Sequence, residues 1–228
     1  MVLPADLFPG FKRKRVTVPG AEIAAVVGGR GPPLLLLHGF PQSLAMWHRV
    51  APALAEKFTV IATDLRGYGQ SSVPASKPDH SPYSFRAMAE DQVAVMTKLG
   101  YDRFLVCGHD RGARTTHRMA LDHPKRVIAA AIMDILPTLY HYENVNRAFA
   151  TGYYHWFFFI QPFDCPERLI GANSDCFLER TFGRIGRAGA IDPRAMECYA
   201  RAFRDPARLH AMMEDYRAGA SIDLEHDR

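Results

Sequence analysis

The chain has 228 residues, a formal net charge of +4, 48% hydrophobic residues and 23% charged residues, which are ordinary values for a soluble globular enzyme. Its length accommodates one large domain, or one domain that carries an insertion. No apolar run approaches the roughly 20 residues of a membrane span, and no basic segment is interleaved with aromatic residues, so we expect neither a membrane nor a nucleic acid as partner.

The first predicted elements are two strands joined by a tight turn. Val16 and Val18 alternate with polar neighbours, residues 23–27 are apolar, and Pro19-Gly20 between them predicts a hairpin turn. The basic run Lys12-Arg13-Lys14-Arg15 is interpreted as the solvated start of the first strand.

Strands and helices then alternate along the chain. Residues 34–37, all leucine, predict a strand buried on both faces, and a helical stretch over residues 43–57, divided near Pro52, leads to a strand over residues 58–62. A long loop covers residues 65–82, and Ser84 is predicted to cap a helix that ends near Leu99.

The alternation continues through a strand over residues 104–107, a helix to about His123 and a buried strand over residues 127–133. This order predicts an α/β fold with a mostly parallel sheet and helices on both faces. Ligands bind beyond the carboxyl ends of such strands. The residues predicted at those ends are His38, Asp64, Asp110 and Asp134.

The segment with the strongest local signal is Leu105 to Arg114. An apolar run ends at Gly108, a lone acidic residue follows at Asp110, and a helical pattern begins after Gly112. This is the spacing of a nucleophile elbow with aspartate as the nucleophile. An ionised carboxylate there can displace a leaving group from carbon and form an ester. A plain helix N-cap is the structural alternative for Asp110.

After Pro137 the pattern becomes aromatic-rich and helical. Asp192-Pro193 and Asp205-Pro206 each place a capping aspartate before a proline at the first helical position. We predict two domains: a core over residues 1–138, and a helical cap over residues 139–228 that includes the start of the return to the core.

Several of these segments together resemble the α/β-hydrolase superfamily and, within it, the fluoroacetate (haloacetate) dehalogenases. The resemblance extends over nearly the whole chain. It is carried by His38-Gly39-Phe40-Pro41, Asp64-Leu65-Arg66-Gly67-Tyr68-Gly69-Gln70-Ser71, Gly108-His109-Asp110-Arg111-Gly112-Ala113-Arg114, Asp134-Ile135-Leu136-Pro137-Thr138, Tyr154-His155-Trp156 and Glu214-Asp215-Tyr216-Arg217-Ala218-Gly219-Ala220. It implies hydrolytic dehalogenation of a small 2-haloacid, such as fluoroacetate to glycolate plus fluoride.

Arg111 and Arg114 are three residues apart on the predicted helix, so their guanidinium groups can share a side and bind a carboxylate. The resemblance favours the substrate carboxylate as their ligand. The alternative is that Arg114 simply neutralises Asp110.

The resemblance also implies the remaining roles. His155, Trp156 and Tyr216 would bind the halide. Without the resemblance, the sequence around Trp156 favours a residue in the core of the cap. The backbone N–H groups of Phe40 and Arg111 would form the oxyanion hole, and Asp134 would orient a general-base histidine. We interpret the side chains of His38 and His109 as structural.

The family carries its general-base histidine in a Gly-His segment after the cap, and this sequence has no such segment before its end at Arg228. The expectation is therefore a fragment of a larger enzyme that lacks the last core strands and exposes an apolar sheet edge. Such a chain would start the reaction at Asp110 without completing it.

Two other functions stay open: an epoxide hydrolase of the same fold, and a non-catalytic carboxylate-binding relative that lacks the base. A serine esterase is disfavoured because aspartate occupies the nucleophile position. The four cysteines show no Cys-x-x-Cys spacing, so we expect free thiols in a reducing, cytoplasmic setting, with no metal and no cofactor. Family members are often homodimers, so the resemblance also allows a homodimer.

Overall fold

The computed structural model describes residues 3–185 and 190–228; of residues 5, 184 and 185 it describes the backbone alone. Its strands form one six-stranded sheet in the order β1-β2-β4-β3-β5-β6. The strands are β1 (Lys12–Val18), β2 (Ala21–Gly29), β3 (Pro33–Leu37), β4 (Thr59–Thr63), β5 (Phe104–His109) and β6 (Val127–Met133). β3 pairs in parallel with β4 and β5, and β5 with β6, so the predicted mostly parallel sheet is confirmed.

The amino-terminal hairpin is also confirmed. β1 and β2 pair antiparallel on either side of Pro19-Gly20, and β2 then pairs antiparallel with β4. The basic run at the start of β1 is exposed, whereas Val16 and Val18 are buried. The alternation of polar and apolar residues therefore placed the solvated face of this strand correctly.

The centre of the sheet is covered on both faces. Leu34 to Leu37 are all buried. Because successive strand residues point to opposite faces of the sheet, other parts of the protein must pack against both faces of β3. β6 differs, since Ile128 and Ile132 are 49% and 43% exposed. The prediction of a buried strand was wrong here: β6 is an edge strand, and nothing among the described residues pairs with its outer side. The predicted exposed apolar edge is present.

The helices of the core match the predicted segments closely. The stretch over residues 43–57 is a 3₁₀ helix (Leu44–Arg49) followed by α1 (Ala51–Leu54), so it divides at Val50. α2 (Phe85–Lys98) follows the 3₁₀ turn Ser81–Tyr83, and α3 (Arg111–Asp122) follows β5. α2 and α3 pack against each other, and α3 also packs against β5 and β6.

The amino terminus of α2 provides a test of local capping. The Ser84 hydroxyl accepts a hydrogen bond from the Ala87 N–H at 3.2 Å, as the sequence predicted. We expect Ser84→Ala to lower the free energy of unfolding by about 1 kcal/mol, because the N–H of Ala87 loses its capping partner. Urea unfolding monitored by circular dichroism measures this. Ser84→Thr retains a hydroxyl acceptor and should lose less; an equal loss in both variants would contradict the capping role.

After Pro137, the described residues form helices joined by short connections, and no strand. The helices are α4 (Thr138–Glu143), α5 (Arg147–Gly152), α6 (Tyr154–Phe159), α7 (Cys165–Gly171), α8 (Ser174–Ile185), α9 (Pro193–Phe203), α10 (Pro206–Gly219) and α11 (Ile222–Asp227). Asp192 and Asp205 accept capping hydrogen bonds from Arg194 N–H and Ala207 N–H, as predicted. The division into a core and a cap at residue 138 stays a prediction.

Two further observations concern the whole described chain. All four cysteines are free thiols, as expected. Across residues 3–185 and 190–228, no helix is both long enough and apolar enough to cross a bilayer.

Candidate active site

A sharp turn joins β5 to α3 and carries Asp110. Asp110 has φ 49° and ψ −115°, a backbone conformation that costs energy for a residue with a side chain and is concentrated at functional sites. Its side chain makes no capping hydrogen bond to α3. The geometry is that of the predicted elbow, and the N-cap alternative is not supported.

Glycine on each side of Asp110 permits this turn because the backbone segments approach closely. A Cβ on Gly108 would lie 2.5 Å from Thr116 Oγ1, and one on Gly112 would lie 2.6 Å from the Leu37 carbonyl oxygen. Both separations are shorter than any real Cβ contact. The two glycines therefore let α3 pack directly against β5 and the end of β3.

The end of β3 brings a hydrogen-bond donor to the Asp110 carboxylate. Gly108 is the register partner of Leu37 in the parallel pair, so the loop after Leu37 reaches the elbow. The Phe40 N–H donates to Asp110 Oδ1 at 2.9 Å. If Asp110 forms an ester, the oxyanion that develops during its hydrolysis is an oxygen of Asp110 itself. The Phe40 N–H already lies where such an anion needs a donor.

His38 supports this loop and is structural, as predicted. Its Nε2 accepts from the Leu65 N–H at 3.1 Å, and its Nδ1 lies 3.0 Å from the Gly39 carbonyl oxygen. Burial lowers the pKa of His38 to about 4, so the ring is neutral near pH 7. A neutral ring that accepts at Nε2 must carry its proton on Nδ1, which donates to Gly39.

Arg111 is held by a buried ion pair. Its Nε donates to Asp215 Oδ2 at 2.9 Å, and its Nη2 donates to Asp215 Oδ1 and to the Asp215 carbonyl oxygen. Burial acts to lower the pKa of Arg111, but the charge of Asp215 outweighs it and the pKa is raised. One edge of this guanidinium is therefore occupied by a cap carboxylate.

Arg114 is buried without a carboxylate partner among the described residues. Its Nη1 donates to the Leu136 carbonyl oxygen at 3.0 Å and to Thr138 Oγ1 at 2.9 Å, while its Nε is buried and makes no hydrogen bond. Burial and the nearby charge of Arg111 lower the pKa of Arg114 to about 10, so it stays protonated near neutrality. An unmatched buried cation with a spare donor is suited to an anionic ligand.

The three predicted halide-binding residues lie together on α6 and α10. The Trp156 ring lies 6.3 Å from that of Tyr216 and under the Arg114 guanidinium at 4.6 Å, and the His155 ring lies 6.0 Å from that of Tyr216. Tyr216 also contacts the Phe40 ring at 5.4 Å. Burial, reinforced by the charge of Asp110, raises the pKa of Tyr216. Its hydroxyl therefore remains a hydrogen-bond donor.

Asp134 follows the carboxyl end of β6, as Asp110 follows that of β5, but the side chain of Asp134 is 88% exposed. Among the described residues its histidine contact is His109, whose Nε2 lies 3.8 Å from Asp134 Oδ2. That separation is too long for a hydrogen bond. The role of Asp134 as the acid that orients a base stays a prediction, as does the structural interpretation of His109.

Two residues of the site were not singled out from the sequence. Asp215 pairs with Arg111, and the Tyr68 hydroxyl donates to Asp215 Oδ2 at 2.7 Å. Both lie inside segments that carried the resemblance, but a carboxylate 104 positions from its arginine leaves no local signal. Within the described residues, no three histidine, cysteine, aspartate or glutamate side chains are grouped so that they could hold a metal ion.

Known proteins are similar to this chain over most of its length. A family model described as the alpha/beta hydrolase fold matches residues 32–226. The chain is 53% identical over 223 residues to a fluoroacetate dehalogenase of Burkholderia sp., covering 97% of this chain and 73% of that protein. It is 43% identical over 211 residues to a soluble epoxide hydrolase of Corynebacterium sp. strain C12, covering 91% and 72%. A crystal structure from Nostoc sp. PCC 7120, provisionally named an alpha/beta hydrolase, superimposes with a TM-score of 0.94 at 56% identity, covering 95% and 75%.

Proposed function

Since this chain belongs to the α/β-hydrolase family, as a fluoroacetate dehalogenase-like member, we propose that it hydrolyses the carbon–halogen bond of a small 2-haloacid. Fluoroacetate would give glycolate and fluoride. The observation that carries this proposal is the buried Arg114, whose Nε makes no hydrogen bond to the described residues and whose guanidinium lies over the Trp156 ring. A cation in that position favours an anionic substrate over a neutral one.

The first step is displacement at the α-carbon of the substrate. A carboxylate oxygen of Asp110 forms a bond to that carbon while the carbon–halogen bond breaks, and the halide leaves with the bonding electrons. The substrate carboxylate would be bound by Arg114 and by the remaining Nη1 of Arg111. His155, Trp156 and Tyr216 would donate hydrogen bonds to the departing halide, which matters most for fluoride because it is a poor leaving group.

The second step is hydrolysis of the ester. Water adds to the Asp110 carboxyl carbon, an oxyanion forms on the Asp110 oxygen, and collapse releases the 2-hydroxy acid and restores the carboxylate. The Phe40 N–H would stabilise that oxyanion, as would the Arg111 N–H that the family resemblance implies. A base must take a proton from the water, and Asp134 is proposed to orient it. Overall, haloacid and water give hydroxy acid, halide and one proton.

A direct test combines two measurements on the same sample. The protein is incubated with fluoroacetate, free fluoride is measured with an ion-selective electrode, and the intact protein is weighed by mass spectrometry. Fluoride together with a covalent adduct on Asp110 supports the proposal, and fluoride well beyond one equivalent per site adds turnover. No fluoride and no adduct would leave the non-catalytic carboxylate-binding relative as the better interpretation.

Epoxide hydrolysis is the second candidate, favoured by the similarity to the Corynebacterium enzyme. An aspartate nucleophile on an elbow serves that reaction as well. An epoxide carries no charge, however, and would leave Arg114 buried without compensation. Styrene oxide consumption in the absence of fluoroacetate turnover would therefore replace the first proposal with the second.

Arg114→Gln is expected to raise the half-saturating concentration of fluoroacetate by about ten- to a hundredfold, since a charge-assisted hydrogen bond in a buried site is worth roughly 1.5–3 kcal/mol. Fluoroacetamide has the same size without the charge, so its half-saturating concentration should rise much less. Fluoride release at varied concentrations of both compounds measures this difference. Arg114→Lys should recover part of the loss, and Arg201→Gln, on an exposed ion pair with Glu197, is the matched control. An equal loss for both substrates would contradict carboxylate binding by Arg114.

A further inference from the structure

The buried pair of Arg111 and Asp215 connects the elbow helix α3 to the cap helix α10. Both side chains are almost fully buried, at 1% and 0% exposure. Asp215 accepts from Arg111 Nε, from Arg111 Nη2 and from the Tyr68 hydroxyl. The carboxylate therefore engages one whole edge of the guanidinium, and Tyr68 fixes the carboxylate in turn. Among the described residues, only Nη1 of Arg111 is left to donate elsewhere.

The plane of this guanidinium is also fixed from above and below. The Phe85 and Tyr216 rings lie 4.5 and 4.2 Å from the Arg111 Cζ. A side chain at Gly219 would begin 3.3 Å from Arg111 Nη2, so α10 passes close by. Arg111 cannot turn without displacing either α10 or one of the two rings.

The helix that carries Asp215 is itself anchored on its other side by charged residues. Arg217 donates to Glu214 at 2.9 Å and to Glu167 of α7 at 2.7 Å. Glu214 in turn lies 2.8 Å from His80 of the long loop after β4. Asp215 and Tyr216 thus lie between two residues held by ion pairs, and the position of the Asp215 carboxylate is set by contacts outside the active site.

Arg111 directly follows the nucleophile in the chain. A buried arginine without a counterion acts on the carboxylates around it. Without Asp215, these would be Asp110, the preceding residue, and Asp223, which accepts from the N–H of Phe85, whose ring lies over Arg111. A carboxylate beside an uncompensated cation is a poorer nucleophile, since the attack must draw electron density away from the cation. We propose that Asp215 is a positioning residue that neutralises Arg111 beside the nucleophile and leaves only its Nη1 for the substrate carboxylate. This inference rests on the proposed function.

Asp215→Asn tests the proposal, because asparagine keeps the shape and one acceptor but removes the charge. Arg111 then adds an uncompensated positive charge to the site. We expect the dissociation constant of acetate, measured by calorimetry, to fall by at least about fivefold, since one unit charge a few ångströms away is removed. The maximal rate of Asp110 alkylation by fluoroacetate, followed by intact mass, should fall by about tenfold or more, because the uncompensated charge of Arg111 stabilises the ionised Asp110 carboxylate. A residue that merely supported the fold would weaken both binding and rate.

Tyr68→Phe is the matched control, because it removes a hydrogen bond to the same carboxylate and keeps the charge. The dissociation constant of acetate should stay within about twofold of the unmodified protein. An unchanged alkylation rate in Asp215→Asn, or a slower rate with weaker acetate binding, would overturn the proposal.

The double variant Arg111→Met/Asp215→Asn covers the case in which Asp215→Asn alone does not fold, since removing both charges of a buried pair is far better tolerated than removing one. If Asp215 acts through Arg111, this double variant should alkylate no more slowly than Arg111→Met, in which Asp215 is itself left without a counterion. A markedly slower double variant would overturn the proposal. If the unmodified protein forms no adduct at all, the proposed function fails, and the acetate titrations still decide whether Asp215 offsets the charge of Arg111.

Discussion

Asp110→Asn is expected to abolish both fluoride release and the covalent adduct, with a loss of about 10⁴-fold or more, as for removal of a nucleophile in other enzymes. The carboxamide has no anionic oxygen with which to displace the halide. Asparagine is nearly the same size, and its carbonyl oxygen can still accept from the Phe40 N–H, which donates to Asp110 Oδ1 at 2.9 Å. The elbow should therefore keep its shape.

The measurement is fluoride release over a long incubation, with intact-mass analysis at each time point. Asp175→Asn is the control for the substitution itself, because this aspartate lies on the surface of α8 in an exposed ion pair with Arg204. The control should react like the unmodified protein. An adduct that persists in Asp110→Asn, or that maps to another residue, would exclude Asp110 as the nucleophile.

The predictions that succeeded rest on short-range patterns. The elbow at Asp110 and the hairpin turn at Pro19-Gly20 need only a few neighbouring residues of restricted conformation. The caps at Asp192 and Asp205 are likewise local, because each side chain bonds to a backbone N–H two residues away. Such features depend only on residues that are close together in the sequence.

The predictions that failed or stayed incomplete depend on distant parts of the chain. β6 has the composition of a buried strand, yet Ile128 and Ile132 are exposed. The apolar run itself does not indicate whether a further strand pairs with the outer side of β6. Arg111 and Arg114 look equivalent in the sequence. Only the fold separates them, because α10 brings Asp215 to Arg111 and leaves Arg114 beside Trp156.

That separation sharpens the proposed chemistry. Of the two arginines on the elbow helix, one is neutralised within the protein and the other is buried without a carboxylate among the described residues. Among the described residues, the guanidinium of the elbow helix that is left without a carboxylate is thus that of Arg114, which matches one ligand carboxylate. The pairing favours a small monocarboxylic acid, because a second carboxylate would remain uncompensated in a buried site.

Gly112→Ala is expected to damage both the fold and the reaction, although it adds a single methyl group. The new Cβ would lie 2.6 Å from the carbonyl carbon and oxygen of Leu37, and closer still to the carbonyl oxygen of His38. These are backbone atoms of β3 and its loop, so no side chain can move aside. The amino terminus of α3 must shift away from β3, which we expect to cost about 1–3 kcal/mol of unfolding free energy.

The same shift separates Asp110 from the loop of Phe40. A displacement of about 1 Å can cost roughly a hundredfold in rate, so Asp110 alkylation in Gly112→Ala should slow by about that factor. Gly183→Ala makes the same substitution within α8, where a Cβ would meet nothing within 4 Å. That control should gain about 0.5–1 kcal/mol, because alanine is the better helix residue. Urea unfolding measures the stability of the two variants, and intact-mass kinetics measure their rates of Asp110 alkylation. If Gly112→Ala is as stable and as reactive as Gly183→Ala, the close approach of α3 to β3 does not hold the elbow in place.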